Sequence, residues 1–365
     1  MLQLDMHLAL LDEGASLSDA SAYNLQFQGP DPVFIDVLSM RRYREGEYWT
    51  GHRQFCEQFL NPLLLRSAVG VAFNAWFRGD LEGIPTKDLA RVLPLRRRMS
   101  WKILTHVVLQ ARLEQKAIDD PEGSLARLRG HRFNRASYLG MLRQLRAWIA
   151  TMEPAATGKT VWEDYQEAHR YGSEDERSKR DFVTRFVSAT EPKLLWDLGC
   201  NVGYYSSVAL KAGAREVIGF DSDFNALEIA FQRAKSQGLA FLPLFMDAAN
   251  PSPDQGWRQR ERLGLAQRAR ADGILALAFA HHLAIGRNAP IPQVISWLTG
   301  VAPQGIIEFV PKSDPTVGQM LALREDIFKS YSRENFMASV ERTARVVETR
   351  QLESGRLLCW YDRRA

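Results

Sequence analysis

Cysteine is scarce in this 365-residue chain, and Cys56, Cys200 and Cys359 stand far apart. They show neither paired zinc spacing nor the even framework of a disulfide-stapled secreted domain, which points to a reducing, cytoplasmic setting. No apolar run reaches the ~20 residues of a membrane span. Met1 is followed by mixed residues, not by a charged-then-apolar signal, so no membrane partner is expected. Internal repeats and low-complexity tracts are lacking, which excludes a solenoid or a long disordered linker. No Cys/His or carboxylate cluster suggests a metal. With 45% apolar and 25% charged residues, the chain falls in the soluble globular range, and its length suits two domains.

Charge is unevenly spread. The net +4 conceals a window, residues 91–150, with thirteen Lys and Arg against four Asp and Glu. Arg96, Arg97 and Arg98 and the series Arg127, Arg129, Arg132, Arg135, Arg143 and Arg146 supply most of it. Such a window can steer nucleic acid or another anionic partner, but a solvated face of connecting helices is the preferred reading. Aromatic residues are thin here, which argues against single-strand stacking.

The run Leu194-Leu195-Trp196-Asp197-Leu198-Gly199-Cys200-Asn201-Val202-Gly203 reads as a buried strand, a tight glycine turn and a helix opening at Tyr204. This turn lets backbone approach a ligand at the C-terminal edge of a parallel sheet. About twenty residues on, a second strand, Glu216 to Phe220, ends in Asp221, placed to take both hydroxyls of a ribose. Together they predict a nucleoside-bearing cofactor. A nicotinamide fingerprint fails on spacing, because its second and third glycines would fall on Asn201 and Tyr204.

The turn resembles motif I of the class I S-adenosylmethionine (SAM) dependent methyltransferases, with Asp197 as its acid and Asn201 in place of the middle glycine. Asn tolerates the left-handed region, so the departure is mild. Three more apolar runs follow: Ala240 to Met246, Asp272 to Ala278, and Gly305 to Val310. Helical patterns lie between Thr316 and Ala344, and a closing pair spans Arg345 to Leu352 and Arg356 to Tyr361. The alternation suits a sheet covered on both faces. The resemblance implies a Rossmann-like α/β fold with a seven-stranded sheet over roughly residues 160–365. It implies SAM held by Asp197, Gly199, Cys200, Asn201, Gly203, Asp221, Ser222, Asp247 and Ala248, with Asp247 contacting the adenine. For Asp247 a plain turn remains an open alternative.

After the fourth strand, where this fold supplies substrate-facing groups, come His281 and His282. Histidine suits general-base work on an oxygen or ring-nitrogen nucleophile; the alternative is a histidine packed beneath the cofactor. The Asn/Asp-Pro-Pro-aromatic and Pro-Cys signatures of nucleic-acid methyltransferases are absent from this segment. Upstream, Trp162, Tyr165, Tyr171 and Lys179 fall where a helix often covers the cofactor, with Tyr171 toward the methionine tail.

A domain boundary is expected near residues 151–160, dividing the chain into 1–150 and 151–365. The first half reads mostly as helix: Leu2 to Leu11, an apolar helix from Phe55 to Ala75 interrupted at Pro62, Trp101 to Gln115, and Ser137 to Ala150. Asp19, Asn24 and Asp36 have the spacing of a catalytic loop and metal-binding strand, and this segment resembles the large lobe of the protein-kinase-like superfamily. Leu17-Ser18 stands in place of the usual His pair, and only eighteen residues precede Asp19, leaving no small lobe. The implied role is a scaffold or substrate platform, beside the alternative of an unrelated helical domain. End to end, the layout is similar to a group of bacterial methyltransferase-like proteins that includes the nodulation protein NoeA. The expected activity is methyl transfer from SAM to a small-molecule or glycan hydroxyl. A non-catalytic scaffold, or an RNA methyltransferase using residues 91–150, is the alternative. Oligomeric state is not readable.

Overall fold

The computed structural model describes residues 1–112, 134–155, 174–268, 271–322 and 324–364. It divides into two compact units, Met1–Gln26 with Pro32–Gly158, and Phe27–Asp31 with Lys159–Ala365.

The first unit packs the helices Leu2–Asp12 and Arg135–Ile149 with a longer helical stretch over residues 52–69. Leu4, Leu11, Phe55, Leu60, Leu64, Tyr138 and Leu142 are buried in its core. Two short strand pairs occupy residues 15–42; of their four strands, only the one leading to Asp36 is expected from the sequence. β1 (Ala15–Leu17) pairs antiparallel with β4 (Met40–Arg42), and β2 (Leu25–Gln28) pairs with β3 (Asp31–Phe34).

The expected break at Pro62 does not occur. The α-turns His52–Phe55 and Asn61–Leu64 alternate with wider π-turns at Cys56–Leu60 and Leu65–Val69. Pro62 lies in the first turn of its α segment, where a missing N–H is tolerated, and the Asn61 N–H reaches Cys56 across the π-turn. The stretch ends instead at Gly70, whose φ of 79° is a helix-stopping left-handed conformation.

The second unit is a three-layer α/β/α structure. Its strands are β5 (Leu194–Leu198), β6 (Glu216–Asp221), β7 (Phe241–Phe245), β8 (Gly273–Ala276), β9 (Gln304–Phe309), β10 (Arg345–Gln351) and β11 (Leu357–Asp362). They form one sheet in the order β10-β11-β9-β8-β5-β6-β7. β5 lies parallel to both β6 and β8, whereas β11 runs antiparallel between β9 and β10. Successive residues bury opposite faces. Trp196, Ile274, Ile307 and Leu357 meet the helices Ile291–Val301 and Arg333–Thr343. Leu195, Leu275, Ile306 and Leu358 meet Glu174–Thr190 and Phe224–Ser236. The chain builds outward from β5 on one side, then returns to place β8 on the other. That reversal opens a crevice at the strand ends, where ligands of such sheets bind.

Candidate functional site

A cavity of about 890 Å³ lies at this crevice, bordered by the ends of β5, β6 and β8. The turn after β5 bends through three left-handed residues, Gly199 (φ 78°), Asn201 (φ 49°) and Gly203 (φ 75°). Gly199, Cys200 and Asn201 line the cavity. Gly203 does not, contrary to the expectation that it contacts cofactor. A β-carbon there would stand 2.4 Å from Phe241, so glycine is required for packing behind the turn.

Two carboxylates converge on the cavity. Asp197 is 2% exposed and accepts a 2.6 Å hydrogen bond from the Ser206 hydroxyl. Burial, opposed by Ser206 and reinforced by the nearby Asp221 charge, pushes its pKa up to about 7. Asp221, at the tip of β6, accepts the Asn201 N–H at 2.8 Å and the Asp223 N–H at 2.9 Å. Burial raises its pKa too, against these hydrogen bonds. Its carboxylate retains acceptor capacity for a ligand.

Ser222, Asp247 and Ala248 also line the cavity. Asp247 caps its own turn through the Ala249 N–H and meets Arg287 at 3.2 Å, so the turn reading and the lining position both hold. Tyr171, Trp162 and Tyr165 lie outside the described residues.

The histidine pair divides. His282 lines the cavity; burial lowers its pKa, partly offset by Asp221, so at neutral pH the ring is a free base. His281 is 1% exposed, does not line the cavity, and lies tilted against His282 with ring centroids 4.2 Å apart. Burial above all drives its pKa down to about 3. The expectation that His281 faces substrate is therefore corrected: the π-turn opening at His282 turns its predecessor into the core.

Sequence reasoning missed a buried charge cluster at the other end of the cavity. Glu308, fully buried on β9, sits 2.6 Å from Lys179 and 3.5 Å from Arg356. Arg356 also meets Asp314 at 2.7 Å, and Asp314 caps the helix Pro315–Leu321 through the Thr316 N–H. The other Glu308 oxygen accepts the N–H of Ala278, whose φ is 46°. Lys179, Asp314, Arg356 and Ala278 all line the cavity, so Glu308 ties its wall together from behind. The available signal was a lone acid inside the apolar run Ile306-Ile307-Glu308-Phe309-Val310.

Among the described residues, no group of three or more His, Cys, Asp or Glu is arranged to hold a metal. No family model matches the chain. The nodulation protein NoeA of Rhizobium meliloti (strain 1021) is 46% identical over 347 residues, covering 95% of this chain and 73% of that protein. The chain belongs to the NoeA family. Among solved structures it is similar to the magnesium protoporphyrin IX methyltransferase of Synechocystis PCC 6803, crystallised with SAM. That match has 19% identity and a TM-score of 0.39, over 56% of this chain and 92% of the other. The N-methyltransferase NodS of Bradyrhizobium japonicum WM9 shows 12% identity and a TM-score of 0.36, over 51% and 95%. Likenesses this slight carry no argument. The strand order and registers do, and they make the second unit a Rossmann-like class I SAM-dependent methyltransferase fold.

Proposed function

We propose that this NoeA-family chain is a SAM-dependent methyltransferase whose acceptor is a hydroxyl of a small molecule or glycan. The observation that carries the reading is the meeting of Asp221 with the left-handed turn at Gly199 and Asn201 on one cavity wall. The donor set fits a cation bearing a ribose. Two carboxylates with raised pKa values, Asp197 buried and Asp221 partly buried, face the same space and are relieved by a positive ligand. When bound, the cofactor supplies a methyl group on a positively charged sulfonium.

The chain's own tasks are then positioning, drying and proton removal. Asp221 offers its remaining acceptor capacity to a ribose, and the turn brings backbone close. Tyr204, Phe279 and Leu283 line the cavity and limit water. His282, neutral at pH 7 and facing the cavity, takes the proton from the acceptor hydroxyl.

We read the first unit as a scaffold or substrate platform. Support comes from the Asn24 side-chain amide, which donates to Asp36 at 3.1 Å, spending a contact that a phosphotransfer site would reserve for its metal.

Isothermal titration with SAM and S-adenosylhomocysteine (SAH) is the test. Wild type binds both, and D221A loses about 1.5–3 kcal/mol, the worth of hydrogen bonds to a charged acceptor. Absence of heat with either ligand, or equal affinity in D221A, removes the proposal.

A further inference from the structure

Residues 91–102 contain five Lys and Arg and no carboxylate. Pro94 opens the short helix Leu95–Arg98, and Trp101–Ile103 follows after a bend. Leu93 and Ile103 turn inward, to 2% and 5% exposure. The residues between them point the other way: Leu95 is 76% exposed, Met99 84% and Trp101 69%. Leu95 and Met99 are four apart on one side of the turn. Single exposed apolar residues are ordinary, but three large ones within seven positions mark an interaction surface.

The flanking cations differ in their engagement. Arg98 donates to the carbonyls of Leu93 and Arg91, Arg91 meets Asp88 at 3.5 Å, and Lys102 lies over the Trp148 ring. Arg96 and Arg97 are exposed and meet no carboxylate among the described residues.

We propose that this knuckle, Leu95, Met99 and Trp101 flanked by Arg96 and Arg97, is a peripheral docking site for an anionic lipid bilayer. Its apolar side chains protrude from a turn, a shape that enters a soft interface and does not receive a groove-filling ligand. Tryptophan and arginine side by side suit the headgroup level, where the ring sits at the acyl boundary and the guanidinium pairs with phosphate. The stretch 91–102, with five cations and no acid, complements a negative surface. Nucleic acid would match the charge but leave Leu95 and Met99 without a partner. A second copy related by a two-fold axis would bring like charges together. No described helix is long and apolar enough to cross a membrane. The expectation of no membrane partner rested on the lack of a span, and surface docking needs none. The site is independent of the methyltransferase reading.

Vesicle co-sedimentation of the full chain tests it, using phosphatidylcholine with about a quarter phosphatidylglycerol against phosphatidylcholine alone. Wild type sediments with the anionic vesicles only. R96Q/R97Q partitions about 20- to 30-fold less, at about a factor of five per basic residue. L95S/M99S/W101S falls at least about tenfold through lost apolar insertion. Both variants change exposed side chains only, and each keeps wild-type circular dichroism and SAH affinity. The proposal is overturned if wild type stays in the supernatant with anionic vesicles, or if both variants sediment like wild type. It is overturned equally if the variants lose binding to single-stranded RNA while vesicle binding persists.

Discussion

Asp197 illustrates how a site residue trades stability for readiness. Its folded pKa of about 7 lies above the unfolded 3.8, so the folded chain holds the proton more tightly. The associated stability is complete below the unfolded pKa and is lost as pH rises toward 7. D197N keeps an oxygen for the Ser206 hydroxyl and removes the charge. Each pKa unit corresponds to ~1.4 kcal/mol, and after relaxation we expect a gain of about 1–3 kcal/mol at pH 8 and little at pH 4. Thermal melts at both pH values measure it, and SAH affinity falls in the same variant. Gly199, Asn201 and Asp221 were legible in the sequence because a strand, a turn and a strand tip are local features with fixed spacing. The division of labour between His281 and His282 was not legible. Adjacent helical residues point about 100° apart, and only the packing of that turn selects which one meets the cavity.

Among elements, β9 shows how a strand can carry more than sheet. Glu308 joins Lys179, Arg356 and the Ala278 N–H, linking β9, the turn before β11, the helix Glu174–Thr190 and the wall after β8. Removing one partner of a buried pair leaves an uncompensated charge, so E308A should cost about 3–5 kcal/mol in urea unfolding. E308Q retains an acceptor for Ala278 but still leaves Lys179 and Arg356 without their carboxylate, so it should fall at the lower end of that range, about 3 kcal/mol. Equal losses in both variants would mean that the ion pair, not the hold on Ala278, dominates. The strands of the second unit were readable because burial on both faces writes them as short apolar runs. Near the N-terminus only β3 was readable, as the strand leading to Asp36; β1, β2 and β4 have only three or four residues each, too short for an alternation to register. The π-turns around Pro62 escaped for a related reason, because side-chain periodicity does not distinguish a widened turn from an α-turn over five residues.

For the whole molecule, each unit has its own core: that of the first draws on residues 4–148, those of the second on residues 182–361. Scanning calorimetry should therefore resolve two transitions, and SAH should raise one, by about 2.7 kcal/mol at a hundredfold excess over Kd. A single transition, or an equal shift in both, would contradict separate cores. Acid should weaken the first unit, where burial lowers His7 and His52 to about 4; in the second unit the raised Asp197 and Asp221 oppose the lowered His281. With the folded values of His7 and His52 below the unfolded 6.5, the unfolded chain takes up protons first, so the first unit's stability falls as pH drops below about 6.5. Melting temperatures between pH 7 and 5 check the sign.

Residue order alone was enough for the parallel sheet, the cofactor-sized turn and the acid at the next strand tip, because each follows from burial pattern and backbone freedom over a few positions. It could not disclose that Glu308, Lys179, Asp314 and Arg356, spread over 178 positions, gather behind one cavity wall. Nor could it show that Leu95, Met99 and Trp101 stand in solvent while Leu93 and Ile103 do not. Both depend on which surfaces are left to face one another once the cores have formed, a property of the assembled chain and not of any segment.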